Sequence, residues 1–213
     1  MPTAEYVTDV PYVRAFTSDL SPVLLRLVAA LNGLPAASPT HFDYCELGSG
    51  HGDTLATLAA AHPNARFLGV DINAEHVAFA RDFASRGGLA NAAYLERDFE
   101  ALLGDEVGPF VFIAAHGVLT WVSPAKRRAL VEVASAKLRP GGLLYVGYNA
   151  LPGWAAVEPL RRLLIERGAA VGGSTLERAR AGVSLAKRLS EAGAAYFAAN
   201  PSVKEMLATM EKV

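Results

Sequence analysis

Cysteine is almost missing: Cys45 stands alone in 213 residues, so no disulfide can form within the chain, which points to a reducing compartment. Long apolar runs are missing too, and none reaches the roughly 20 residues that span a bilayer. The amino terminus, "MPTAEYVTDVPYVRAF", has no basic start followed by an apolar stretch. Secretion and membrane insertion are therefore not expected, and the cytoplasm is. Excess charge of either sign is absent, with 20 Lys plus Arg against 21 Asp plus Glu. A field of that size draws in neither a phosphate backbone nor an anionic membrane, so no nucleic acid or membrane partner is expected. His41, His51, His62 and His76 have no paired spacing with Cys or carboxylates, and no metal site is expected. No serine sits in a nucleophile-elbow pattern, and Cys45 falls inside a strand-like run, which leaves covalent catalysis without a nucleophile.

What is present is a hydrophobic fraction of 52%, ample for one domain with a buried core. Ser21 and Pro22 start a helix that Asn32 and Gly33 stop. From there strand-like runs, "FDYCEL", "ARFLGVD", "AAYLER", "FVFIAA" and "LLYVGY", alternate with helical segments at 54–61, 74–86 and 124–138. Ser123 and Pro124 open the last helix, and "LRPGG" closes it. This alternation predicts an α/β fold, a Rossmann-like doubly wound, mostly parallel sheet with crossover helices. Residues 155–213 read as helices only, with turns at Gly172, Gly173 and Pro201, so the sheet is expected to stop at five strands. The expected organisation is a single domain over 1–213: a helical amino-terminal segment over 1–40, a core over 41–150, and over 151–213 a helical cap or the start of a truncated carboxy-terminal region. The open edge of the last strand needs cover by the terminal helices or pairing with another molecule, a second copy or a partner chain.

The stretch "CELGSGHGDT" places Gly48, Gly50 and Gly52 between a strand and a helix, a device for bringing a ligand against bare backbone. The next strand ends in Asp71, whose carboxylate is placed to accept hydrogen bonds from a ribose diol, while Asn73 is better placed to cap the following helix. Dinucleotides and S-adenosylmethionine both use this plan. The dinucleotide pattern is G-x-G-x-x-G, but this chain has G-x-G-x-G with Glu46 two residues ahead. An acid there favours a cationic ligand and repels a pyrophosphate.

The motifs "ELGSGHG", "GVDIN", "ERDF" and "LRPGGLLYV" together resemble those of class I S-adenosylmethionine-dependent methyltransferases, over roughly residues 40–150. That resemblance implies Glu46 and Gly48 near the methionine portion, with Ser49, Gly50 and Gly52 in the loop beside it. It further implies Asp71 on the ribose, Ile72 on the adenine face, and Asp98 with Phe99 at the adenine amine and edge. "YVTDVPYVRAFTSDLSP", "HGVLTWVSP" and "YNALPGW" resemble more narrowly the bacterial methyltransferases with a methyltransferase regulatory domain, a group that includes rickettsial-type protein lysine methyltransferases. Members of that group continue into an antiparallel strand pair and further carboxy-terminal domains, whereas residues 155–213 show no convincing strand, so the pair is expected to be absent, cut off or supplied by another chain.

Methyl transfer needs an acceptor lone pair aligned with the methyl and the departing sulfur, so positioning supplies much of the rate. The candidates for cofactor or acceptor contact at the strands' carboxyl ends are His116, Tyr148 and Asn149. Tyr6, Tyr12, Phe16, Trp121 and Trp154 are candidates for an aromatic wall around a cation. The acceptor is a protein, a lysine side chain by the resemblance, or else a small molecule or sugar. A nicotinamide-dependent oxidoreductase and a noncatalytic cofactor-binding scaffold are the rival readings.

Overall fold

The computed structural model describes residues 14–34 and 40–210 of the 213. The five apolar runs form the strands β1 (Asp43–Leu47), β2 (Arg66–Asp71), β3 (Ala92–Glu96), β4 (Phe110–His116) and β5 (Leu138–Gly147). The helices that connect or precede them are α1 (Pro22–Leu31), α2 (Asp53–Ala61), α3 (Ala74–Arg86), α4 (Phe99–Gly104) and α5 (Pro124–Lys137). The strands pair in the order β3-β2-β1-β4-β5, every pair parallel.

Alternation along each strand sorts side chains onto two faces. Tyr44, Phe67 and Phe112 join a cluster with Leu55 and Leu58 of α2 and Val77, Ala80 and Ala84 of α3. Cys45, Leu47, Val70 and Ile113 join another with Phe99 and Leu102 of α4 and Ala129, Leu130 and Val133 of α5. The sheet is therefore covered on both faces, and each buried Leu, Ile or Phe contributes roughly 1.5–3 kcal/mol. The chain leaves β1 toward β2 on one side of the sheet and returns through β4 on the other, so the order reverses between β1 and β4. Ligands of open α/β sheets bind at that reversal, beyond the strands' carboxyl ends.

Helix α1 starts at Pro22 as expected, without a side-chain cap from Ser21, and two later starts carry the expected caps. The Asn73 side chain accepts from the Glu75 and His76 N–H groups, and Ser123 accepts from Lys126. Two elements depart from expectation. Strand β5 begins at Leu138, running through the "LRPGG" segment expected only to close the preceding helix, with an irregularity opposite Phe110 and Phe112 that absorbs the extra length. Pro140 is tolerated because β5 is an edge strand of this sheet. Helix α4 was not expected; Asp98 caps it by accepting from the Ala101 N–H at 2.7 Å.

The described chain divides into two compact units, 1–148 and 149–213. Among the described residues the second unit holds four helices and no strand: α6 (Glu158–Val171), α7 (Thr175–Glu191), α8 (Ala195–Ala199) and α9 (Pro201–Thr209). Leu160, Ala186, Phe197, Val203 and Leu207 form its core. Helices α6 and α7 approach closely because Gly182 leaves room for Leu164, whose Cα lies 2.8 Å from where a Cβ would stand. Among the described residues no helix is long and apolar enough to cross a membrane.

Candidate active site

The loop after β1 turns sharply, with φ of +76° at Gly48, +53° at Gly50 and +76° at Gly52, a region that favours glycine. The three positions differ in their surroundings. A Cβ on Gly48 would strike Val118, and one on Gly52 would lie 2.7 Å from the Tyr94 ring. Only above Gly50 is there nothing within 4 Å. Two of the glycines thus make room for packing and the third leaves room for a ligand. The loop's N–H groups are turned inward: Gly48 and Ser49 donate to the Val70 carbonyl, Gly52 donates to the Ser49 carbonyl, and Gly50 donates to Asp71 Oδ2 at 2.8 Å.

This loop borders a cavity of about 320 Å³ at the sheet's reversal point. Its floor includes Glu46, only 6% exposed, whose Oε2 makes no hydrogen bond among the described residues; the buried Ser49 Oγ has none either. Burial, helped by the Asp71 charge, pushes the Glu46 carboxyl up to about 8. Asp71 sits across the cavity at the end of β2, where Oδ1 accepts from the Asn73 N–H at 2.9 Å. Each Asp71 oxygen therefore retains a lone pair.

A segment before α1 forms another wall through Ala15, Thr17 and Leu20. Thr54 holds it to α2 by accepting from the Thr17 N–H at 3.0 Å, the Tyr44 hydroxyl donates to the Leu20 carbonyl, and Arg14 pairs with Asp53. At the end of β4, His116 and Trp121 line the mouth. The His116 ring stacks on Tyr145, with Nδ1 3.2 Å from its hydroxyl, and Gly147 leaves the space that ring needs. Cys45 is fully buried with its thiol pushed up by burial, an inert packing residue.

Residues 45–142 match the family described as "Methyltransferase domain". That segment carries a methyltransferase domain. An uncharacterised protein of Synechocystis is 33% identical over 208 residues, covering 97% of this chain and 41% of that protein. An uncharacterised protein of Rickettsia prowazekii is 31% identical over 157 residues, or 74% of this chain and 28% of that protein. The solved structure of PKMT2 from Rickettsia typhi in complex with AdoHcy superposes with a TM-score of 0.71 at 27% identity, over 84% of this chain and 34% of that one. The chain thus spans less than half the length of each of these three relatives.

The methyltransferase domain brings most of the predicted residues together. Glu46, Gly48, Ser49, Gly50, Gly52, Asp71, Ile72, Phe99, His116 and Trp121 all line the cavity. Asp98 does not: one of its oxygens caps α4, and the other lies 3.6 Å from Lys126 Nζ. Tyr148, 59% exposed, and Asn149 are also outside the lining, and Asn149 begins the second unit, which holds Trp154. Tyr6 and Tyr12 lie outside the described residues. Sequence reasoning missed His51 and His76, which also line the cavity of the methyltransferase domain: His51 sits within the glycine loop after β1, and His76 is brought there by the turn from β2 into α3. It missed Tyr145 as well, a strand residue whose hydroxyl meets His116 only across the β4–β5 pair.

Proposed function

We propose that the protein is an S-adenosylmethionine-dependent methyltransferase whose acceptor is a protein lysine side chain. The observation that carries the cofactor part is Glu46, a buried carboxyl with an unpartnered oxygen in the same cavity as Asp71. Leaving a buried polar atom unpaired costs roughly 1–3 kcal/mol, a cost a bound cation relieves. The residues suit the cofactor: Glu46 for its cationic methionine end, the two remaining Asp71 lone pairs for the ribose diol, and Ile72 and Phe99 for the adenine. The amides of Gly48, Ser49, Gly50 and Gly52, already given to the protein, are not free to hold a pyrophosphate, which disfavours the nicotinamide reading.

When bound, S-adenosylmethionine supplies a methyl on a positively charged sulfur, open to in-line attack by a lone pair. The chain's own part is to orient both reactants and keep water out. The segment of Ala15, Thr17 and Leu20 closes the cavity on one side. Trp121, 52% exposed at the mouth, offers an aromatic face to an ammonium group. His116 stands at the same mouth, where an amine that must shed its proton would approach. The likeness to Rickettsia typhi PKMT2 supports the lysine acceptor.

Titration calorimetry with S-adenosylhomocysteine tests the cofactor, and Asp71→Ala is expected to weaken binding about 100-fold by removing two charge-assisted hydrogen bonds. Unchanged binding removes Asp71 from the site. Incubation with methyl-labelled cofactor and lysine-rich protein, set against small amines and sugars, tests the acceptor. Label on protein supports the proposal, label on a small molecule replaces the acceptor, and binding with no transfer favours a scaffold.

A further inference from the structure

Asn73 caps α3, so His76 falls in the first turn of that helix, and helical side chains tilt back toward the amino end. That tilt carries the imidazole over the carboxyl end of β2, where Nδ1 lies 3.6 Å from Asp71 Oδ1. The ring is buried, with 7% of its side chain exposed against 12% for Asp71. It packs on His51, ring centroids 4.3 Å apart, and His51 in turn packs edge-on against Phe79.

We propose that His76 is a positioning residue that fixes the Asp71 carboxylate for the ribose hydroxyls, an inference resting on the cofactor reading above. Two backbone amides, those of Gly50 and Asn73, already occupy one lone pair on each Asp71 oxygen. At 3.6 Å the imidazole is too far to take a third. It acts instead as a flank. The ring blocks rotation of the carboxylate, and the tautomer with a proton on Nδ1 turns the positive end of the N–H dipole toward Oδ1. The two free lone pairs then point at fixed directions, one for each hydroxyl of a diol. A ligand without the diol gains nothing from this arrangement.

The test uses that selectivity. Affinities of the wild-type chain, His76→Phe and His76→Asn are measured by calorimetry for S-adenosylhomocysteine and for its 2′,3′-dideoxy counterpart. His76→Phe keeps a ring against His51 and is expected to weaken S-adenosylhomocysteine about tenfold while leaving the dideoxy ligand unchanged. His76→Asn again turns a polar N–H dipole toward the carboxylate and is expected to recover most of the loss. The readout is the ratio between two ligands on one variant, so a general loosening of the fold cancels; if the phenylalanine variant does not fold, His76→Leu takes its place. Equal weakening of both ligands, or no weakening of either, overturns the inference and leaves the cofactor reading standing. A wild-type chain that binds neither ligand overturns both.

Discussion

Glu46 couples cofactor binding to protons. With its carboxyl raised to about 8 by burial and by Asp71, most of it is protonated at pH 7. A cationic ligand favours the ionised form, so binding at pH 7 is expected to release close to one proton. Affinity for S-adenosylmethionine should climb by up to about tenfold per pH unit below 8 and level off above it. Calorimetry in buffers of different ionisation enthalpy measures the release, and Glu46→Gln should abolish both the release and the slope. The sign for the unliganded fold is opposite. A folded value above the ordinary 4.5 means a contribution to stability that is complete below 4.5 and lost as pH rises through about 8. Glu46→Gln should therefore raise the melting temperature of the unliganded protein at pH 8 and change it little at pH 4.5. The glycines separate by the same kind of measurement. Gly48→Ala drives a methyl into Val118 at a φ of +76° and should cost about 2–4 kcal/mol, read in the melting curve. Gly50→Ala meets open space and should cost about 1 kcal/mol of stability while weakening cofactor binding more than that cost explains.

At the scale of elements, caps and packing are separable from the site. Ser123→Ala removes the acceptor for the Lys126 N–H at the start of α5 and should lower stability by about 1 kcal/mol with no change in cofactor affinity, checked by denaturant titration and calorimetry. The strands and the helices between them were legible because each apolar run is bounded by glycine, proline or a capping residue. The start of β5 was not, since Leu138, Arg139 and Pro140 carry the signals of a helix stop, and only pairing with β4 draws them into the sheet. Helix α4 has six residues, too few to show a periodicity. The glycine loop and Asp71 were legible because each is a local pattern at a strand end. His76, Tyr145 and Thr54 enter the site through contacts between elements, which no window of sequence contains.

For the whole molecule, residues lining the cavity all belong to the first unit, and among the described residues β5 is an edge of the sheet. The expectation that its outer edge is covered or paired is tested by hydrogen exchange. Slow exchange at the outward amides of β5 indicates cover, with a concentration dependence if a second copy supplies it. Exchange as fast as a free strand removes the expectation. The inward turn of the loop amides after β1 has a consequence at this scale too. Gly48, Ser49, Gly50 and Gly52 already give their N–H groups to the protein itself. A nucleoside triphosphate or inorganic phosphate would therefore find none of these four amides free to hold it, a selection against anions that favours a cationic visitor.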